Sequence, residues 1–193
     1  MLRLALLSAM AFVLMLFEIQ LTPVFPFLPG FLKYDAGELP VLIAGSAFGP
    51  WPGAAVEVVK NLLFLASGKS SAGLVGVSAN LLAGIALVVP EGYIYRLLQG
   101  HVPPAGRLAV SLVAGVAATT IVMGIANYYV FLPLWGIPAA QIANMTMSAI
   151  VPFNLIKGVL TGILALVIYP RVAFSLGDPF RDETSRTPPV RAE

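Results

Sequence analysis

The chain has no cysteine and a single histidine, and these scarcities exclude several kinds of chemistry. Without cysteine there is no disulfide, no thiolate nucleophile and no Cys-based metal site. His101 lies in a predicted loop far from the serines at the other end of the molecule, so neither a Ser-His pair nor a His-based metal site is expected. The chain also has no Gly-x-x-x-x-Gly-Lys-Ser/Thr phosphate loop, and we expect no ATP hydrolysis by it. The sequence therefore predicts neither an enzyme nor a protein that binds a metal, a cofactor or nucleic acid.

Charge is scarce as well: only 10% of the 193 residues are charged and 59% are hydrophobic. A soluble domain has roughly 25% charged residues. With a mean hydropathy of +0.91, the chain has too little polar surface to cover a water-soluble globule. It is predicted to be an all-α integral membrane protein whose main solvent is the lipid bilayer.

Six apolar stretches are candidate transmembrane helices in a single domain over residues 1–170. Residues 22–37 connect the first and second stretches. They include three prolines, which predict a structured loop. Pro170 is expected to stop the last helix, and the charged, Pro-rich tail 171–193 is expected to be disordered. Two alternatives stay open: the first stretch could be a cleaved signal peptide, or the second and third could form one broken helix. The predicted spans are residues 2–21, 38–48, 52–66, 74–98, 107–132 and 145–169.

The positive charges indicate the orientation of these spans. With both termini in the cytoplasm, Lys33 and Lys69 are the two outside cations, while Lys60 and Lys157 lie within spans. The excess on the inner side follows the positive-inside rule, which supports a multi-pass protein of the cell membrane with both termini cytoplasmic. The seven cations assigned to the cytoplasmic side are Arg3, Arg96, Arg107, Arg171, Arg181, Arg186 and Arg191.

Polar side chains inside the spans are the first functional candidates, because a charge near the bilayer centre costs roughly 2.5–3.5 kcal/mol. At ~1.5 Å of rise per residue, these side chains all fall in the outer half of the membrane. Together with Asp35 in the 22–37 loop they predict a polar pocket that opens away from the cytoplasm, and the inner half is expected to hold almost no polar group. The candidates are Glu57, Lys60 and Asn61 in the third span, Asn80 in the fourth, Asn127 in the fifth, and Asn154, Lys157 and Thr161 in the sixth.

Structural explanations compete with this interpretation. Glu57 and Lys60 could form a buried ion pair, and Asn80 could clip two helices together. Lys157 has no acid within four residues on its own helix, so its partner must be another helix, the Asp35 loop or a ligand. Pro152 frees the carbonyl of Ser148 just above Asn154, and interrupted helices at membrane depth often mark binding sites.

Several segments resemble the substrate-binding S components of energy-coupling factor (ECF) transporters, closest to the riboflavin-specific members. The resemblance covers about residues 1–170. Its most specific parts are Pro-Phe-Asn-x-x-Lys-Gly at 152–158 and Asn-Tyr-Tyr at 127–129. The other parts are Phe-Leu-Lys-Tyr-Asp at 31–35, Glu-Leu-Pro at 38–40, Phe-Gly-Pro-Trp-Pro-Gly at 48–53 and Glu-Val-Val-Lys-Asn at 57–61.

The resemblance implies a subunit that captures riboflavin from outside and works with a transmembrane T component and two cytoplasmic ATPases. It implies that the flavin's pyrimidine edge meets Asn154, Lys157 and Asn127, with Lys60, Asn61 and Asn80 as second choices. The 22–37 loop would act as a lid and supply an apolar wall from Leu32, Tyr34 and Phe31, with Asp35 beside it. Ala5 and Ala9, a small-xxx-small pair, would dock the T component; internal packing is the alternative.

Other functions remain open at the level of sequence. The chain could be an S component for another vitamin, a gradient-driven transporter that uses Glu57 and Lys60, or a purely structural membrane subunit. We detect no pair of related halves, which a secondary transporter normally has.

Overall fold

The computed structural model describes residues 1–176, and nearly all of its regular structure is helical. Its α-helices are α1 (Leu2–Met15), α2 (Glu38–Phe48), α3 (Pro50–Ala66), α4 (Gly73–Leu97), α5 (Pro104–Ala126), α6 (Leu132–Leu134), α7 (Ala139–Met145) and α8 (Val151–Leu176). Two π-helical turns, Asn127–Phe131 and Thr146–Ile150, join α5 to α6 and α7 to α8.

Three helical stretches in residues 1–176 are long and apolar enough to cross a membrane: Gly73–Leu97, Pro104–Leu134 and Ala139–Tyr169. The helix α2 lies at the centre of the bundle and is buried along almost its whole length. Its neighbours are α1, α3, α4 and α8. The turn from α2 to α3 is made by Gly49 at φ 106°, a backbone conformation that favours glycine, and Arg96 of α4 donates a hydrogen bond to the Phe48 carbonyl there.

The first helix is shorter than predicted. It ends at Met15 instead of residue 21, because the chain then turns into a strand, β1 (Ile19–Gln20). That strand pairs antiparallel with β2 (Lys33–Tyr34), so Ile19 faces Tyr34 and Gln20 faces Lys33. The intervening residues form turns without a helix, as predicted for the 22–37 loop. The hairpin lies across one end of the bundle.

Each π-helical turn precedes a proline at the same spacing. A proline has no N–H to donate to the carbonyl four residues earlier. Pro133 thus cannot pair with the carbonyl of Tyr129, and Pro152 cannot pair with that of Ser148; both carbonyls lie in the middle of a π-helical turn. The wider turn accommodates the missing bond without breaking the helix.

The last helix is longer than predicted. α8 passes through Pro170 and is helical as far as Leu176, the last described residue, so the expected stop at Pro170 is wrong. A proline inside a helix removes one backbone hydrogen bond, and here the helix continues beyond it. Of the predicted tail, residues 177–193 lie outside the described residues.

The end of the bundle opposite the hairpin is more polar than predicted. Glu91 is fully buried there, and its Oε1 accepts hydrogen bonds from Ser46 (2.6 Å) and Ser111 (3.3 Å). One turn further along, the guanidinium of Arg107 lies 5.0 Å from the centre of the Tyr95 ring. The expectation that this half holds almost no polar group is wrong, because hydroxyls on neighbouring helices make burial of the carboxyl possible.

Candidate functional site

Lys157 of α8 is at the centre of a buried polar cluster near the hairpin. Its Nζ lies 3.2 Å from Oδ2 of Asp35, 3.4 Å from Oε1 of Glu38 and 3.0 Å from Oδ1 of Asn80. An ammonium has three hydrogens to donate, and three acceptors surround this one. Lys157 is thus held by the loop and by two other helices, two of the kinds of partner that its sequence predicted.

A second buried ammonium extends this cluster into α3. Nζ of Lys60 lies 2.6 Å from Oε2 of Glu57 and 3.1 Å from Oε1 of Glu38, and all three side chains are almost fully buried. Glu57 also accepts a hydrogen bond from Nδ2 of Asn61 at 2.6 Å. The ion-pair explanation of Glu57 and Lys60 is therefore the one that the geometry supports. Glu38 bridges the two ammoniums, and the sequence analysis did not select it.

Beside Lys157 a cavity of about 760 Å³, including the part open to solvent, extends to the surface under the hairpin. Seven of the ten predicted binding residues line it: Phe31, Leu32, Asp35, Asn80, Asn127, Asn154 and Lys157. The structure thus brings α1, α3, α4, α5, α8 and the loop together around one space.

The other three predicted binding residues do not line the cavity. Lys60 lies behind Glu38, and Asn61 lies behind Asn80, to which its Oδ1 is hydrogen-bonded at 3.2 Å. Tyr34 packs into the apolar cluster of the loop, with its hydroxyl 3.5 Å from that of Thr161. In a strand, successive side chains point to opposite faces, so Lys33 and Asp35 line the cavity while Tyr34 does not.

Two asparagine amides in the cavity wall have free hydrogen-bonding capacity. Nδ2 of Asn127 donates to the carbonyl of Met123 at 2.8 Å, and Nδ2 of Asn154 donates to that of Ile150 at 2.9 Å. These bonds orient both amides along their own helices. Within residues 1–176 each Oδ1 accepts no hydrogen bond, and each Nδ2 retains a second hydrogen, so each amide can both accept from and donate to a ligand.

The middle of the cavity is apolar and aromatic. Phe31 of the loop and Trp135, in the loop between α6 and α7, have ring centres 5.3 Å apart and an interplanar angle of 53°. Other apolar side chains complete this wall, so a flat ring system entering the cavity would contact carbon atoms along its length. They are Met15, Leu32, Phe64, Val77, Met123, Ile150 and Phe153.

The rim of the cavity has its own ion pair. Nζ of Lys33 lies 2.8 Å from Oε2 of Glu18 and 2.8 Å from Oγ of Ser71, so it connects the hairpin to the loop between α3 and α4. About a quarter of each charged side chain is exposed. Neither residue was selected from the sequence: Glu18 lies near the end of the first predicted span, and Ser71 lies in a predicted loop.

Ala5 and Ala9 lie on the outward face of α1. The inward face of this helix consists of Leu7, Ser8, Ala11 and Met15. The alternative that the two alanines serve internal packing is therefore wrong, since both are exposed together with Leu6 and Met10.

A comparison with protein families gives a match over almost all of the described chain. Residues 1–169 match the family "ECF transporter, substrate-specific component". The chain belongs to this family. ECF substrate-specific components are transporter subunits and not enzymes, and the membrane-embedded helical fold predicted from the sequence agrees with this membership.

Relatives of known name and structure are similar over most of their length. The riboflavin transporter FmnP of Bacillus subtilis (strain 168) is 35% identical over 173 residues, which is 86% of this chain and 87% of FmnP. The riboflavin transporter RibU of Staphylococcus aureus (strain TCH60) is 37% identical over 179 residues, 88% of this chain and 87% of RibU. A solved structure, described as the S component of a bacterial ECF transporter, has a TM-score of 0.74 and 35% identity, and covers 91% of this chain and 95% of its own.

Proposed function

We propose that this ECF S component is the riboflavin-binding subunit of an ATP-driven vitamin importer. The observation that carries the proposal is the pair of oriented amides, Asn127 and Asn154, next to Lys157 at the buried end of a cavity with an aromatic wall. Similarity to riboflavin transporters at 35% and 37% identity supports the same ligand.

The chemistry of the flavin fits this arrangement of donors and acceptors. The pyrimidine edge of the isoalloxazine has two carbonyl acceptors and an imide N–H donor between them. Two amides that both donate and accept, together with an ammonium, complement this edge. The apolar part of the ring system would lie along Phe31, Leu32 and Phe153. The hairpin over the cavity would serve as the lid through which the vitamin enters.

We further propose that six helical segments cross the cell membrane and that both termini are cytoplasmic. The three loops around the cavity, at 16–37, 67–72 and 135–138, lie together and carry Lys33 and Lys69. The N-terminus with Arg3 and the loop at 98–103, which is flanked by Arg96 and Arg107, belong to the other end. This distribution follows the positive-inside rule, which supports a cavity mouth on the outside of the cell.

The partners would be a transmembrane T component and two cytoplasmic ATPases. The exposed face of α1 around Ala5 and Ala9 is the proposed docking surface, because small side chains allow a partner helix to approach closely. A gradient-driven mechanism through Glu57 and Lys60 is not favoured, since both side chains are paired with each other and lie behind the cavity wall.

Binding measurements on variants of the two amides test the ligand and the site together. Asn154→Ala and Asn127→Ala should each weaken riboflavin binding about 5- to 150-fold, because a ligand polar group that loses its partner in a buried site costs roughly 1–3 kcal/mol. The measurement is quenching of riboflavin fluorescence by the purified protein in detergent. Lys157→Ala should also abolish binding, with a thermal unfolding curve to separate lost binding from lost folding.

Asn144→Ala is the matched control, because Asn144 is exposed on α7 and does not line the cavity. Riboflavin binding that is equally strong in Asn154→Ala and in wild type would contradict the site. Wild-type protein that binds a different vitamin, and no flavin, would contradict the ligand and leave the family unchanged.

A further inference from the structure

The rim of the cavity contains polar groups that would not contact the ring system of a bound ligand. Glu18 and Lys33 line the same cavity as Asn154 and Lys157, but at its exposed end. About a quarter of each of these two side chains is exposed, whereas Asn154 at the inner end is buried. A ligand whose ring edge meets the amides therefore places any substituent that points outward next to this ion pair.

The pair has hydrogen-bonding capacity left for such a substituent. Lys33 uses two of its three hydrogens, on Glu18 and on Ser71, so one donor remains. In the described part of the chain, Oε1 of Glu18 has no hydrogen bond, so one strong acceptor remains. A donor and an acceptor side by side match a chain of hydroxyl groups, each of which can accept and donate.

A phosphate group at the same place would be attracted by Lys33 but repelled by Glu18. A phosphate monoester carries about −1.5 to −2 charges at neutral pH and offers oxygen acceptors. It could accept from Lys33, but the Glu18 carboxylate beside it would repel it and would find no hydrogen to accept. The charge of Lys33 is already compensated by Glu18, so little net attraction is left for an anion.

We propose that Glu18 is a specificity-determining residue that selects a neutral polyol tail over a phosphorylated one. This inference rests on the proposed riboflavin function and adds to it the discrimination between riboflavin and its 5′-phosphate. Glu18 acts in two ways: it accepts from a hydroxyl of the tail, and it neutralises the ammonium that would otherwise attract phosphate.

Paired titrations of riboflavin and riboflavin 5′-phosphate test the proposal on the full-length protein in detergent. Glu18→Gln keeps the shape of the side chain and removes its charge. The ratio of the two dissociation constants should shift toward the phosphate by about tenfold, equivalent to about 1.4 kcal/mol. The shift should shrink when salt is raised, because exposed charges are screened within about 10 Å at 0.1 M ionic strength.

Gln141→Lys is the matched control, because it adds the same charge difference to an exposed position on α7 outside the cavity. An equal shift in Gln141→Lys, or an unchanged ratio in Glu18→Gln, would overturn the role of Glu18 while riboflavin binding itself stands. If wild-type protein bound neither flavin, the proposed function would fail first and this inference with it.

Discussion

Five charged side chains meet in the interior of this protein, and their pairing explains how the helices tolerate them. Asp35, Glu38 and Glu57 supply three carboxylates to the ammoniums of Lys60 and Lys157. Burial of an unpaired charge is very costly, whereas a charge with close partners is tolerated. Glu38 of α2 contacts Lys60 of α3 and Lys157 of α8. Lys157 also contacts Asp35, so the cluster connects these three helices to the loop.

Removal of one ammonium from this cluster should destabilise the fold. Lys60→Met leaves Glu57 buried without its cation and should cost about 3–5 kcal/mol, the usual loss when one partner of a buried pair is removed. Adding Glu57→Gln should recover much of that loss, since Glu38 keeps Lys157 as its partner. Thermal unfolding in detergent measures both effects, with exposed Lys69→Met as the control. Additive losses in the double variant would contradict this explanation.

Residues of the site could be predicted from sequence where a polar group interrupts an apolar run. Lys157, Asn154 and Asn80 stand out for this reason, and the structure places all three at the cavity. Glu38 and Glu18 do not stand out, because each lies next to a loop and resembles a surface residue. Because the hairpin folds over the bundle, Glu38 is buried between two lysines and Glu18 becomes part of the cavity rim.

At the scale of helices, the sequence predicted a helix boundary well where a glycine or proline at that position ends the helix. The turn at Gly49 and Pro50 separates α2 from α3 as predicted, because glycine and proline determine the backbone there. The end of α1 was not predictable in this way. It depends on pairing between β1 and β2, which are separated by a long stretch of loop and whose contact leaves no local pattern.

Substitutions on the outward face of α1 should prevent assembly with the T component without changing the affinity for riboflavin. Ala5→Leu combined with Ala9→Leu enlarges two exposed side chains and should prevent co-purification with the transmembrane T component. Riboflavin affinity should stay within about twofold, because neither alanine lines the cavity. Ala117→Leu, an equal change at an exposed position of α5, is the control. Intact complex formation in the double variant would exclude this face as the docking surface.

The described part of the molecule has two chemically different ends, one with the hairpin and cavity and one with Arg3, Arg96 and Arg107. The absence of cysteine makes this arrangement directly measurable, because a single introduced thiol is the only site for a maleimide. Lys69→Cys should react with a membrane-impermeant maleimide in intact cells, whereas His101→Cys should react only after permeabilisation. The opposite result would invert the proposed orientation.

The positions of these charges along the chain also determine the order in which they enter the membrane during synthesis. Synthesis begins at the N-terminus, so three carboxylates and Lys60 reach the membrane before Lys157 does. Glu57 and Lys60 compensate each other within one helix, but Asp35 and Glu38 lack the ammonium of Lys157 until α8 has been inserted. A nascent chain that ends before residue 157 therefore holds excess acid in a lipid environment. The step that completes the vitamin site is therefore also the step that brings the second cation to the buried acids.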